Sequence, residues 1–422
     1  MLNRTQQPFI HAIKNLKLPQ PKQHILQNGI PVYEINMGTQ EVTKIELVFK
    51  AGRPSEQKRL TARLTARMLR EGTQQHNSAE IAELMDYYGG TLGAPINLDT
   101  ANIVLYSLNK HLETLLPLIA EIITKPVFPQ KELDTIITNS IQQIKVNRTK
   151  CDVVAYREIT ERIFTAQHPY GYNSSIEEYQ QLEREDLFTH FNKNYHAANC
   201  TIIISGKIRP NTIQLLDKYL GTAIPQGQSI APVFPTIHTQ AQSVKIDLEG
   251  SQSAIRIGCR MFNKKHPDYN GLFVLNTILG GYFGSRLMMN IREDKGYTYN
   301  IFSGLDSMIH DGYFTIGTEV GNDYVEDTLK EIYKEIEILQ NDLVPIKELE
   351  MVQNYLLGNM LTMLDGPMNV ADIIKTMVVE EMDFSRFEEV ERSISSITAQ
   401  DLRDLAQRYF IKENMWQVVV GV

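Results

Sequence analysis

What this chain has little of narrows it first. Only three cysteines occur in 422 residues, and Cys151, Cys200 and Cys259 lie far apart with no Cys-x-x-Cys pair. A disulfide-knit scaffold or a thiol-held metal cluster is thereby excluded. The spacing reads as buried free thiols in a reducing compartment, with one disulfide left open as the alternative. No run of about 18 apolar residues occurs, so no membrane-spanning helix is expected. Residues 1–23 are polar and broken by Pro8, Pro19 and Pro21, without the apolar segment of a signal peptide or an anchor. Long runs of Lys or Arg are missing too. With a net charge of −8 and a pI near 5.8, the chain lacks the basic face that nucleic acid requires. The expected location is the cytoplasm, with neither nucleic acid nor membrane as partner.

What is present is the composition of a globular protein with sizeable cores: 42% hydrophobic and 22% charged residues. The length calls for two or more domains. Internal repetition supplies the division. Pro129-Gln130-Lys131-Glu132-Leu133 recurs as Pro345-Ile346-Lys347-Glu348-Leu349, Glu121-Ile122 as Glu335-Ile336, and Asp186-Leu187 as Asp401-Leu402. Asn199 and Gly206 recur as Asn414 and Gly421, and all five matches share one register of about 215 residues. The pattern is that of a duplicated and fused unit.

Both copies read alike. Residues 111–124 and 324–340 form a helix, and a second helix starts near Pro129 or Pro345, with the proline in its first turn. A short helix follows Asp186 or Asp401. The apolar, Ile- and Val-rich runs 200–205 and 415–420 close each copy as buried strands. Strands also open each copy: 30–35 and 44–50 in the first, 243–248 and 254–259 in the second, all alternating with period two. The expected architecture is α+β, with two homologous domains, each a mixed β-sheet packed with helices, arranged as a clamshell. Residues 1–222 form the first domain and 243–422 the second. The Pro-, Gln- and Thr-rich stretch 223–242 reads as an exposed linker.

The segment Arg63-Leu64-Thr65-Ala66-Arg67, followed by Met68-Leu69 and Gly72-Thr73, has the layout of a helix built to bind zinc through His-x-x-Glu-His. Two imidazoles at i and i+4 can grip one Zn²⁺, and the intervening Glu can reach a metal-bound water. Here those positions hold Arg63, Ala66 and Arg67. Guanidiniums have no lone pair to donate and repel a dication, and a methyl group is no general base. Taken alone, Arg63 and Arg67 are ordinary surface arginines of an amphipathic helix. The ten histidines show no zinc motif on any helix, so a relocated metal site is not expected.

These segments, together with Asn28-Gly29, His168-Pro169-Tyr170-Gly171 and 199–206, resemble the pitrilysin/insulysin family of zinc peptidases. That family includes the mitochondrial processing peptidases and the core proteins of respiratory complex III, and the resemblance covers almost the whole chain. It implies a third zinc ligand, a Glu, on the next long helix, where this chain has Gln143. All four metal-site positions are therefore degenerate, and no cofactor is expected in this chain.

The second half differs. The run 279–287 leads into Ile291-Arg292-Glu293-Asp294-Lys295-Gly296-Tyr297-Thr298-Tyr299, which is similar to the family motif whose Arg and Tyr face the zinc across the cleft. Gly296 would end a helix, leaving Arg292 on its last turn and Tyr299 in the following strand. A guanidinium and a phenol can stabilise the oxyanion of peptide hydrolysis. The plainer reading is a helix-capping Arg and a half-buried strand Tyr. Gly280-Gly281-x-x-Gly284-Ser285 lacks the ending of a phosphate loop and reads as close helix packing.

The resemblance implies a non-catalytic subunit of a heterodimeric zinc metallopeptidase. A homologous partner would carry the zinc, Arg292 and Tyr299 would act in trans, and the substrate would be a peptide. In isolation the chain could pair with itself. The alternative is a structural or interaction protein of the same fold with no part in proteolysis.

Overall fold

The computed structural model describes residues 15–237 and 239–421, together with Thr5 and Ile13; His11 and His238 lie outside the described residues. The first half runs β1 (Lys22–Ile25), β2 (Pro31–Asn36), β3 (Val42–Phe49), α1 (Thr61–Met68), α2 (Ser78–Tyr87), β4 (Thr91–Gly93) and β5 (Ala101–Leu108). It continues with α3 (Leu112–Thr124), α4 (Gln130–Asn147), α5 (Cys151–Phe164), α6 (Ile176–Gln180), α7 (Arg184–Asn194), β6 (Cys200–Gly206) and α8 (Thr212–Leu216). The second half runs β7 (Ser243–Asp247), β8 (Gln252–Met261), α9 (Tyr269–Gly280), β9 (Ile301–Ser307) and β10 (Gly312–Gly321). Helices α10 (Val325–Asn341), α11 (Ile346–Met363), α12 (Pro367–Val379), α13 (Arg386–Ser396) and α14 (Ala399–Tyr409) follow, and β11 (Trp416–Gly421) closes it.

Local chemistry sets these boundaries. Pro129 and Pro345 stand one residue earlier than expected, as the extended residues that cap α4 and α11 (ψ 132° and 139°) rather than inside the first turn. The ring fixes φ near its helical value, while the cap position leaves ψ free to stay extended. Thr398 caps α14 by accepting from the Asp401 amide while the Asp401 carboxylate accepts from the Thr398 amide. Asn28 fastens the entry to β2 by donating to the Leu220 and Ile224 carbonyls, 3.1 Å each. Gly29 beside it takes a positive φ of 86° that closes the turn.

The first sheet has the order β1-β2-β6-β3-β5-β4 and the second β7-β11-β8-β10-β9. Apart from β1, the two are the same sheet: one parallel pair (β2 with β6, β7 with β11) leads into antiparallel neighbours throughout. Each sheet has its own apolar core, one on Ile45, Leu47, Phe49 and Leu116, the other on Ile255, Ile257, Leu275 and Phe314.

The halves also exchange helices. α5 packs on β8 and β11 of the second sheet, where Ala155, Ile159 and Ile163 meet Ala254, Trp416 and Val418. α12, its counterpart in the repeat, packs on β2 and β6 of the first sheet. Consequently the polar positions of β3 do not face solvent. The side chains of Lys44 and Glu46 are 6% and 3% exposed, joined to each other at 2.9 Å and to Asp372 and Lys375 of α12 at 3.0 Å each. The stretch 225–242 carries no helix or strand among its described residues and is mostly exposed, but Phe234 stacks on His168 at 5.3 Å. The three cysteines are free and buried.

Candidate functional site

Helix α1 is positioned by buried polar groups at its start. Leu60, fully buried, turns the chain into the helix with a positive φ of 74°. The Glu56 carboxylate accepts from the Ala62 amide at 2.9 Å and from the Tyr172 hydroxyl at 2.7 Å. Burial pushes Glu56 up to about 7 despite these donors. On the other side, His190 contacts the Ala51 carbonyl through Nε2 at 3.2 Å, and burial pushes it down to about 4. His190 is therefore a neutral structural imidazole at physiological pH.

Along α1 the side chains of Thr61, Ala62, Leu64, Thr65, Ala66 and Met68 are buried, while Arg63 points outward and Arg67 is half-buried. Arg67 Nη1 donates to Ser140 Oγ on α4 at 3.5 Å, and Arg70 Nη1 donates to the Leu92 carbonyl on the edge strand β4 at 3.2 Å. The helix itself packs on α7 and β5, with Arg67 reaching toward α4 and Arg70 toward the open edge of the first sheet. Gln143 stands about one turn beyond Ser140, exposed, and donates to Asn147 at 2.9 Å. Ala66 is wholly buried in the core cluster of the first half.

The side chains that Arg63, Ala66, Arg67 and Gln143 offer are guanidinium, methyl and amide. They do not fit zinc, which takes imidazole, thiolate or carboxylate. Among the described residues no group of three or more His, Cys, Asp and Glu is placed to hold a metal ion.

In the second half Arg292 lies in the last turn of a wide helical segment, Met288–Asp294, which Ile291 anchors in the core. Its guanidinium sits 4.6 Å from the centre of the Phe283 ring and pairs with Glu293. Gly296, with φ of 68°, ends the segment, and the Tyr297 amide turns back to the Ile291 carbonyl at 3.1 Å. Tyr299 is not in the strand where it was expected. It stands in the loop two residues before β9 and is 90% exposed. The cause is its neighbour: Thr298 turns inward and donates to the Glu319 and Asn300 carbonyls at 2.6 and 3.0 Å, which sends the next side chain out. Gly280 and Gly281 serve close packing, since a Cβ at Gly280 would strike Ser303 of β9.

Sequence reasoning missed the buried charges between the halves. The available signal was Lys44 and Glu46 alternating inside a strand otherwise made of Ile45, Leu47, Val48 and Phe49, with Asp372 and Lys375 three apart on a distant helix.

With this geometry in view, comparison with known proteins places the chain. A family model described as Insulinase (Peptidase family M16) matches residues 32–171, and one described as Peptidase M16 inactive domain matches residues 181–356. The chain belongs to peptidase family M16. It is 24% identical over 349 residues to an uncharacterized zinc protease YmxG of Bacillus subtilis, covering 82% of this chain and 85% of that one. It is 26% identical over 294 residues to a non-peptidase homolog YmxG of Helicobacter pylori, covering 66% of each. Its fold matches a peptidase M16 inactive domain from Pseudomonas fluorescens with a TM-score of 0.88 and 24% identity, over 95% of this chain and 98% of that one. A protease from Helicobacter pylori matches with a TM-score of 0.88 and 17% identity, over 96% of this chain and all of that one. The family is that of zinc peptidases, and this member is a non-catalytic one.

Proposed function

We propose that this chain is the non-catalytic subunit of a heterodimeric zinc metallopeptidase. It presents Arg292 and Tyr299 to the zinc site of a homologous partner that cleaves peptides. The observation that carries this reading is Tyr299. A phenol that is 90% exposed, with no hydrogen bond among the described residues, does little for the stability of its own fold. It stands seven residues after an arginine that is itself accessible. In the partnered enzyme the phenol and guanidinium would hydrogen-bond the substrate carbonyl and the developing oxyanion, where donors strengthen as charge develops. Arg63, Arg67 and Gln143 would carry no chemistry, Ala66 being buried in the core, and zinc would be supplied by the partner alone. We place the complex in the cytoplasm, where three unpaired thiols persist.

The scaffold alternative has one observation in its favour: the Arg292 guanidinium already has Glu293 and Phe283 as company. The separating experiment is reconstitution with a homologue that carries His-x-x-Glu-His, followed by peptide hydrolysis assays. Tyr299→Phe and Arg292→Ala in this chain should each lower kcat by about 100- to 1,000-fold, the range found for a lost oxyanion donor. Unchanged turnover with both substitutions would establish a scaffold. Hydrolysis by this chain alone, after metal stripping, would sink the assignment.

A further inference from the structure

Between the exchanged helices lies a cavity of about 340 Å³ that the proposed function does not use. Asp99 and Asn102 line it from the first half, Asp306 and Glu380 from the second, and Tyr156 of α5 and Lys375 of α12 line it as well. The charges do not balance. Lys375 is engaged by Glu46 and Asp372, and Glu380 by Lys264 at 2.5 Å. Asp99 and Asp306 have no ion-pair partner among the described residues. Asp99 is served only by neutral donors, the Ile309 amide at 2.9 Å and the Tyr170 hydroxyl.

A second, independent sign is the amide of Asn102, which is 8% exposed. Its nitrogen is committed to Glu46 at 2.7 Å, which fixes the orientation of the group, and its Oδ1 has no partner. A buried acceptor left without a donor keeps the cost of its lost hydration, so such an atom marks a place where a donor belongs. Val48, Leu98 and Val379 supply aliphatic wall, beside polar residues such as Thr100, Ser307 and Thr376.

We propose that this cavity binds an aliphatic ammonium ion. Its N–H groups donate to the unpartnered Asn102 Oδ1 and to the remaining lone pairs of Asp99 and Asp306. Those two carboxylates already accept from the Ile309 amide and Tyr170 hydroxyl and from the Tyr313 hydroxyl respectively. Its methylene stem lies on Val48, Leu98 and Val379. An ammonium offers three donors to these three acceptors, and its charge complements the two carboxylates that no cation pairs. A bare metal ion is less suited, since no set of three ligating side chains is gathered there. Because the acceptors come from both halves, the ligand would tie them together and stabilise the folded chain. The ammonium could be a free amine or the side chain of a lysine in a peptide.

The test is calorimetric titration of the whole chain with putrescine, n-butylamine and Nα-acetyllysinamide, with thermal unfolding alongside. Saturable one-to-one binding of at least one amine is expected, with Tm rising as it saturates. Asp306→Asn should weaken binding about tenfold, the equivalent of one charge-assisted hydrogen bond. Val379→Phe fills the cavity without touching a charge and should do the same, so the proposal stays testable if the first variant folds poorly. Binding of putrescine but not of acetyllysinamide assigns a free amine; the reverse assigns a lysine side chain. No saturable binding of any of the three up to ~10 mM, or binding indifferent to both substitutions, overturns the proposal.

Discussion

The two halves of this protein share a strand order, a pattern of parallel and antiparallel pairs, and even the prolines that cap α4 and α11. They part company on the helical segments between the β3 and β5 strands and their counterparts. In the first half, α1 turns Arg63 outward, leaves Arg67 half-buried and buries Ala62 and Ala66. In the second, α9 is buried almost throughout, and the functional candidates have moved to the next segment, on Arg292 and Tyr299. A duplicated scaffold keeps what folding needs, because each sheet must be covered and each turn closed. Side chains that fold does not require are free to change, and here each half changed in its own way.

The largest effect that would test this contrast is expected at Ala66. If α1 has repacked as an ordinary core helix, Ala66→Glu should destabilise the protein by about 3 kcal/mol or more in denaturant unfolding, since a carboxylate would be buried without a partner. Arg63→Gln, on the exposed face of the same turn, should change stability by no more than about 0.5 kcal/mol. Equal effects at the two sites would mean that the helix is still an open site.

The paired glycines that end β6 and β11 give a second comparison. Gly206 has φ of 121°, and a Cβ there would run into the backbone carbonyl of Val42. The nearest obstacle at Gly421 is the Ser253 side chain. Gly206→Ala should therefore cost about 2 kcal/mol, and Ser253→Gly should recover only part of the cost of Gly421→Ala, because the Ser253 Cα would still stand 2.7 Å from the added Cβ.

Glu56 sharpens the picture of α1 through pH. Its carboxyl titrates at about 7 in the folded chain, against 4.5 when unperturbed. Folding therefore favours the protonated form, and that contribution is complete below about 4.5 and lost as pH rises through 7. Glu56→Gln, a neutral mimic, should stabilise the protein by about 2 kcal/mol at pH 8 and by nothing near pH 4. A gain that did not depend on pH would point to packing instead.

Much of this fold was legible in advance for local reasons. The runs 200–205 and 415–420 are too apolar to be anything but buried strands, and Pro129 and Pro345 announce helices whatever surrounds them. The expectation of a degenerate metal site rests only on which atoms occupy a known spacing, a question of sequence on which the packing does not bear. Local patterns could not report what lies opposite an element. Lys44 and Glu46 look like a solvated face until α12 arrives from more than 300 residues away. Tyr299 looked like a strand residue because nothing in its own neighbourhood says that Thr298 will claim the inward position. Gln143 was found by counting from Arg67, yet the α4 side chain that meets Arg67 is Ser140.

The trade of α5 for α12 has a consequence for how the chain comes apart. Each sheet wears a helix that belongs to its twin, so neither half is complete without the other's polypeptide. A protease that nicked the connection around 225–242 would leave two fragments still clasped together, and prising them apart would strand Lys44 and Glu46 under no roof at all. The repeat that began as two copies of one unit has become a single cooperative body.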